Sequence, residues 1–291
     1  MASENHGQSP QQQAMAQLAH EVANTFEHVA DQRTKSLLQD FVHVLHRFFQ
    51  EKKITEAEWI HLIMFLTQSG AITTSKRNEF MLLSDVLGIT TLVSLLNHPI
   101  DATPASNLGP FHNTDSLFRP NGCDLIGTNP GKKLLVKGRV RSPSGAPIRN
   151  ATLDLWQNAD NGLYPEQDPN QDPHNLRCKI LVDHGRYSFT TVEPKPYTVP
   201  FDGPVGAMLK MSQRDGWRPA HIHFRVSAEG FDPLTTEIFL ASDPYVGCDT
   251  VFGVSPSLIM QPRDPDAGEI SAGFGAMKVI EFDFVLHAAA H

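Results

Sequence analysis

Cysteine is scarce in this sequence. Cys123, Cys178 and Cys248 are its only three, all far apart along the chain. They form neither a disulfide framework nor a CxxC metal knuckle, and they fit a reduced, cytoplasmic setting. No apolar run approaches the ~18 to 20 residues that span a bilayer, so no membrane partner is expected. Basic residues are outnumbered, 24 Lys and Arg against 32 Asp and Glu, and no concentrated basic face is visible. A formal charge of −8 therefore excludes nucleic acid as the expected partner. The first dozen residues, MASENHGQSPQQ, lack a cationic-then-apolar signal and read as a loose tail. Hydrolase and dinucleotide signatures are missing too: there is no GxSxG, and His20-Glu21 is followed by Asn24 where a zincin needs histidine. GFGAMK has too few glycines to cradle a dinucleotide.

Proline is also absent between Gln13 and His98, and that stretch reads as helices. In LLQDFVHVLHRFF, Leu38, Phe41, Val42, Leu45, Phe48 and Phe49 recur at three- and four-residue steps, one stripe of an amphipathic helix. Thr55-Glu56-Ala57-Glu58 has capping-box spacing and opens a second helix carrying Trp59, Leu62, Ile63 and Phe65. A third runs from about Thr74 to Val86, with Gly88 as its stop. Beyond Pro99 the grammar changes. KLLVKGRV, ATLDLW, LRCKILVD, RYSFTTV, AHIHFRVSA, TTEIFLA and KVIEFDFVL read as short strands, with His184-Gly185 as a hairpin turn between two of them. The long polar loop from Asn158 to Asn175 has the length of a functional or a disordered segment. The expected fold class is mainly β with α: an N-terminal helical region followed by an antiparallel β-sandwich.

His221 and His223 lie two apart in a strand, where i and i+2 share a face, so both imidazoles can converge on one point. Taken alone, such a pair is more often two polar-face residues than a metal site. The four tyrosines alter that balance, because all fall in the strand-rich half. Tyr187 alternates with Phe189 and reads as packing; Tyr245 follows Asp243-Pro244 in a turn and has no clear role. Tyr164 and Tyr197 sit in proline-flanked loops, GLYPEQ and KPYTVP, which position side chains. Each phenol alone fits equally well as a packed ring with its hydroxyl bonded to backbone. Two phenols with two imidazoles, however, make a coherent ligand set. A phenol with pKa near 10 ionises at neutral pH only on a strong Lewis acid, and phenolate suits Fe(III) better than zinc.

These motifs resemble the intradiol ring-cleaving dioxygenases, the catechol/hydroxyquinol 1,2-dioxygenase group. DLWQNADNGLYPEQ resembles the stretch with the first tyrosine ligand, PYTVPFDGPVG the second, and WRPAHIHF the one with both histidines. NEFMLLSDVLG and NLGPF resemble segments that close over substrate. The resemblance covers most of the chain from about residue 35 onward. It implies one Fe(III) per subunit held by Tyr164, Tyr197, His221 and His223, with Tyr197 as the displaceable ligand that takes a proton from the incoming diol. It implies a helical homodimerisation region at 1–105, able to enclose a lipid, and a catalytic domain at 106–291. Arg218 matches an arginine that steadies charge developing on the ring. Leu82, Asp85, Leu108, Gly109, Pro110, Val199, Pro200 and Val251 match positions lining the substrate pocket. Glu237 departs from the glutamine that many catechol-cleaving members carry beside the iron.

The reaction implied is O2-dependent opening of a catechol-type ring to a muconate-type dicarboxylic acid. NLGPFH and DTVFGV look more like the hydroxyquinol and chlorocatechol branches, so hydroxyquinol is the expected substrate, with catechol and chlorocatechol as alternatives. The alternative of a different class is a non-catalytic β-sandwich that binds a ligand or a metal.

Overall fold

The structure is a computed structural model and describes residues 9–74 and 77–289. In chain order its principal elements are α1 (Pro10–Asn24), α2 (Gln32–Lys52), α3 (Glu56–Ile72), α4 (Glu79–Val86), α5 (Ile89–Asn97), β1 (Phe118–Arg119), β2 (Cys123–Asp124), β3 (Lys133–Arg141), β4 (Thr152–Trp156), β5 (Arg177–Leu181), β6 (Arg186–Val192), β7 (Tyr197–Thr198), α6 (Pro204–Met211), β8 (Trp217–Arg218), β9 (His221–Ser227), β10 (Leu234–Leu240), β11 (Ile259–Met260), β12 (Lys278–Glu281) and β13 (Phe284–Val285). The chain divides into two compact units between Thr67 and Gln68, inside α3.

Helix ends follow local side-chain chemistry. Thr55 and Glu58 exchange a capping box that opens α3. The loose tail is corrected from Ser9 onward: Ser9 and Gln12 form a second capping box, with Pro10 in the first turn of α1. Residues 1–8 of that expectation lie outside the described residues. The helix expected from Thr74 is shorter, because Asn78 accepts from the Met81 N–H and starts α4 at Glu79. Ser75 and Lys76 lie outside the described residues. Gly88, at φ 71°, stands at the junction, and α5 begins directly after it. No single helix among the described residues is long and apolar enough to cross a membrane.

All seven strand-like runs form strands, and the last breaks into β12 and β13 at Phe282-Asp283. They make a six-stranded sheet, ordered β1-β5-β4-β9-β10-β11, and a five-stranded one, β12-β3-β6-β2 with β13 also on β3. The purely antiparallel expectation holds only for the central pairs. β1 and β11 join the first sheet parallel, as β2, β12 and β13 join the second, so both sheets are mixed. One hydrophobic cluster draws on both sheets: Leu153, Leu155, Ile222 and Phe224 from one, Val136, Phe189 and Phe284 from the other. Phe224 contacts Phe284 with ring centroids 5.0 Å apart. His184 and Gly185 both take positive φ and make a tight turn, yet β5 and β6 belong to different sheets. The predicted hairpin is therefore a sheet-to-sheet corner. Another long-range effect brings the sequence-distant Cys123 and Cys178 sulfurs to 3.9 Å.

The core face of the first sheet is apolar, and the opposite face carries polar side chains. Register places Arg177, Trp156, His223 and Glu237 side by side across β5, β4, β9 and β10. All four are buried, which for an arginine and a glutamate requires partners.

Candidate active site

β9 alternation sends Ile222 and Phe224 into the core and turns His221 and His223 the other way. The two imidazole Nε2 atoms face each other 3.1 Å apart. His221 Nδ1 lies 2.6 Å from the Pro219 carbonyl, so Nδ1 carries the proton and Nε2 is left as a lone pair. Burial, reinforced for His221 by the Arg218 charge, holds both imidazoles well below their ordinary pKa, in the neutral form a metal needs. His223 is fixed in orientation by Trp156, stacked on it at 4.8 Å with planes 6° apart.

Tyr164 arrives on the long loop after β4. Asn158 orders that loop by donating to Gly162 O and Lys195 O and accepting from the Lys195 N–H, which joins it to the segment carrying Tyr197. Gln167 closes a local turn on Tyr164, its side-chain Oε1 accepting from the Tyr164 N–H and its own N–H donating to the Tyr164 carbonyl, and Phe111 stacks on the Tyr164 ring at 4.4 Å. Tyr197 lies not in irregular chain but in β7, opposite Arg218 of β8. The Tyr164 and Tyr197 rings are 5.7 Å apart, Tyr197 and His221 5.5 Å, Tyr164 and His223 6.3 Å. Burial raises both phenols above 10, Tyr164 furthest, whereas Arg218 partly offsets the rise at Tyr197. The buried Tyr164 hydroxyl has no partner of hydrogen-bonding geometry, although Tyr197 lies close enough to perturb it.

An orphaned buried phenol beside two facing imidazole nitrogens makes a setting that a cation among them would satisfy. Two phenols that need strong polarisation, beside two neutral imidazoles, fit a hard trivalent ion such as ferric iron. Glu237 also lies close: His221, His223 and Glu237 offer ligand atoms within 4.8 Å of one another. Its oxygens are committed elsewhere, to Arg218 Nη1 at 2.8 Å, Arg218 Nη2 at 2.9 Å and the Ser106 hydroxyl at 2.6 Å. Burial would raise this carboxyl, but Arg218, His223 and Ser106 outweigh it and keep it below its ordinary value. Its Oε1 is 3.1 Å from His223 Nδ1, off the line of the N–H. Glu237 thus stands beside the two imidazoles, held by Arg218 and Ser106.

A cleft opens beside these donors, lined by Leu82, Asp85, Asn107, Gly109, Pro110, Phe111, Gln167, Tyr197, Thr198, Val199, Pro200, Arg218 and Val251. Eight of the sequence-derived pocket positions lie on it, counting Arg218; Leu108 is exposed and does not line it. Gly109 has φ 68°, and a Cβ there would stand 3.2 Å from His223 Cε1, so only glycine lets this wall approach the imidazole. A wider cleft lined by Arg214, Cys248 and Phe252 includes none of the four donors. Sequence reading missed Trp156, Phe111, Ser106 and Asp249. Trp156 had a signal, its i+2 spacing from Asp154 in ATLDLW; Phe111 and Asp249 lie inside the motifs NLGPFH and DTVFGV without being singled out there, and Ser106 had none.

Comparison with known proteins identifies the family. A family profile described as "Dioxygenase" matches residues 111–288, and one described as "Catechol dioxygenase N terminus" matches residues 31–104. The chain is 40% identical over 264 residues to a hydroxyquinol 1,2-dioxygenase of Rhizobium sp. (strain MTP-10005), covering 88% of this chain and 90% of that one. The solved hydroxyquinol 1,2-dioxygenase of Pseudomonas putida DLL-E4 superposes with a TM-score of 0.87 at 39% identity, over 95% of this chain and 99% of that one. The catechol 1,2-dioxygenase of Acinetobacter sp. ADP1 gives 0.80 at 26% identity, over 96% and 93%. With both profiles matched in order along a shared fold, this chain belongs to the intradiol ring-cleavage dioxygenase family, and it is an oxidoreductase.

Proposed function

We propose that the chain is a hydroxyquinol 1,2-dioxygenase: it opens benzene-1,2,4-triol between its adjacent hydroxyl-bearing carbons with O2, giving 3-hydroxymuconate, the tautomer of maleylacetate. One Fe(III) per subunit is held by Tyr164, Tyr197, His221 and His223, at the foot of the cleft. The observation carrying this reading is the convergence of two phenols on two opposed imidazole nitrogens 3.1 Å apart. When bound, ferric iron supplies the Lewis acidity that holds the diol as its dianion and makes the ring reactive toward O2.

The side chains divide the remaining work. Tyr164, fully buried and clamped by Phe111, is the permanent phenolate. Tyr197 is half-buried and faces the cleft, so with iron bound it would be the ligand that gives way to the substrate, and it would accept one of the diol protons. Arg218 stays cationic: burial opposes the charge, but Asp249 and Glu237 outweigh it, and the guanidinium steadies negative charge on the ring. The apolar wall of Leu82, Pro110, Val199, Pro200 and Val251 excludes water from the ring.

Asp85 supports the triol over simple catechol. One of its oxygens accepts from the Thr90 hydroxyl at 2.6 Å, and its carboxyl lies on the cleft. Burial raises its pKa, opposed by Thr90 and Arg218. From that place on the cleft we assign it the hydrogen bond to a third ring hydroxyl. Product analysis with labelled O2 and a panel of diols tests the whole reading. Both oxygen atoms should enter one dicarboxylate, with the highest kcat/KM for the triol; a higher kcat/KM for catechol would reassign the substrate. Asp85→Ala should lower triol kcat/KM by about 100-fold and catechol turnover far less.

The chain acts as a cytoplasmic homodimer through the helical region 1–105, whose family resemblance makes it able to enclose a lipid, and its sandwich region 106–291 is catalytic. Exposed apolar side chains on α2 and α3, among them Phe41, Phe48, Trp59 and Met64, support the dimer.

A further inference from the structure

We propose that Asp249 is a positioning residue of this site, which fixes the Arg218 guanidinium and ties it to the wall of the substrate cleft. This rests on the proposed iron-dependent ring opening and adds a residue to it. A guanidinium has five N–H donors in a rigid fork. In Arg218, Nη1 and Nη2 each donate to Glu237, at 2.8 and 2.9 Å. Nε and Nη2 face the Asp249 carboxylate at 3.3 and 3.4 Å. These four contacts leave one N–H, on Nη1, and that atom lies 3.3 Å from His221 Nε2, toward the reacting centre. Glu237 alone grips one edge of a planar group and permits it to pivot. Asp249 grips the adjoining edge and removes that freedom.

The same carboxylate is bound to the cleft wall. Its Oδ1 accepts from the Val251 N–H at 3.3 Å and its Oδ2 from the Gly253 N–H at 3.0 Å. Val251 lines the cleft, and a Cβ at Gly253 would meet Ser106 Oγ at 2.9 Å and Arg218 Nη2 at 3.2 Å. The loop therefore presses onto the network, with Asp249 as its joint. Asp249 is itself buried and touches neither phenol nor imidazole in any bond the structure records. Its influence runs through Arg218 and the loop.

Asp249→Asn keeps the shape but turns one acceptor into a donor against Arg218 Nη2 or the Gly253 N–H. Iron content and the visible band of the resting enzyme should stay at parent values, while triol kcat falls about 10- to 100-fold and KM moves less than about threefold. In an Arg218→Lys background the same change should have little further effect, since the group it positions has gone. Asp249→Glu, which keeps the charge displaced by one methylene, should fall between parent and Asp249→Asn, and serves in its place if that variant does not fold. A parent kcat in the Asn variant, or in the Glu variant where only that one folds, overturns the proposal. So does an equal loss in the parent and the Arg218→Lys backgrounds, which would mark Asp249 as acting apart from the guanidinium. If the parent protein opens no diol at all, the proposed function fails first, a distinct result.

Discussion

Two neutral imidazoles facing each other at 3.1 Å inside a protein repel unless a cation or a proton lies between them. Burial keeps both rings neutral, the form in which imidazole nitrogens hold a metal. The tyrosines split the labour by exposure. Tyr164→Phe removes a fully buried hydroxyl without a hydrogen-bond partner, and His223→Ala removes one of the two facing nitrogens; with the proposed iron site, both variants should lose iron and activity together, measured as iron per chain and triol turnover. Tyr197→Phe should retain most of its iron yet lose about 100-fold or more in kcat, because a base disappears with the ligand. Full iron in the Tyr164 and His223 variants, or parent turnover in the Tyr197 variant, would contradict the assigned roles.

At the scale of elements, the site depends on strands whose register brings chemistry to one face. Trp156 and Glu237 flank His223 on β4 and β10, so the strand carrying both histidines is braced from both sides. The segment leading into β12 is held by charge instead. Glu269 pairs with Arg263 at 2.7 Å and with Lys137 of β3 at 2.6 Å. Arg263, chiefly, holds the Glu269 carboxyl well below the ordinary carboxylate range. A depressed folded-state pKa means the contribution is present above the unfolded value, near 4.3, and fades as pH falls below it toward the folded value. Arg263 is 40% exposed, so the pair contributes only about 1 kcal/mol. Glu269→Gln should lower stability by that amount at pH 7 in urea titrations, and the gap should close as pH is taken from 5 toward 2. A gap constant across that range would remove the ion pair as its cause.

For the whole molecule, the exposed apolar helices are the main unsolved cost. Phe41 is 63% exposed and Met64 50%, a pattern that soluble monomers avoid when such residues adjoin. A C2 dimer would bury each patch against its own copy. Light scattering of the purified protein should give twice the chain mass, and Phe41→Glu should shift it toward one chain mass at micromolar concentration. A parent protein that is monomeric at every concentration would assign those faces another use.

Much of this molecule is settled locally. The α2 stripe, the Thr55–Glu58 capping box and the seven strand runs arise from periodicity and turn chemistry within a few residues, and they were legible for that reason. The His221–His223 pairing follows from the two-residue period of a strand. Ser9-Pro10 is equally local, a capping residue followed by proline at the first helical position. The rest needed three dimensions. No sequence pattern pairs Tyr197 with Arg218 across β7 and β8, sends Asp249 to a guanidinium 31 residues away, or brings Cys123 to Cys178 across two sheets. Nor could it show that His184-Gly185 joins two sheets, since a turn's dihedrals do not record which strands pair beyond it. Residue type and local period determined which donors exist and which face they share. The packing of distant loops, through long-range hydrogen bonds and burial, decided that they meet at one point.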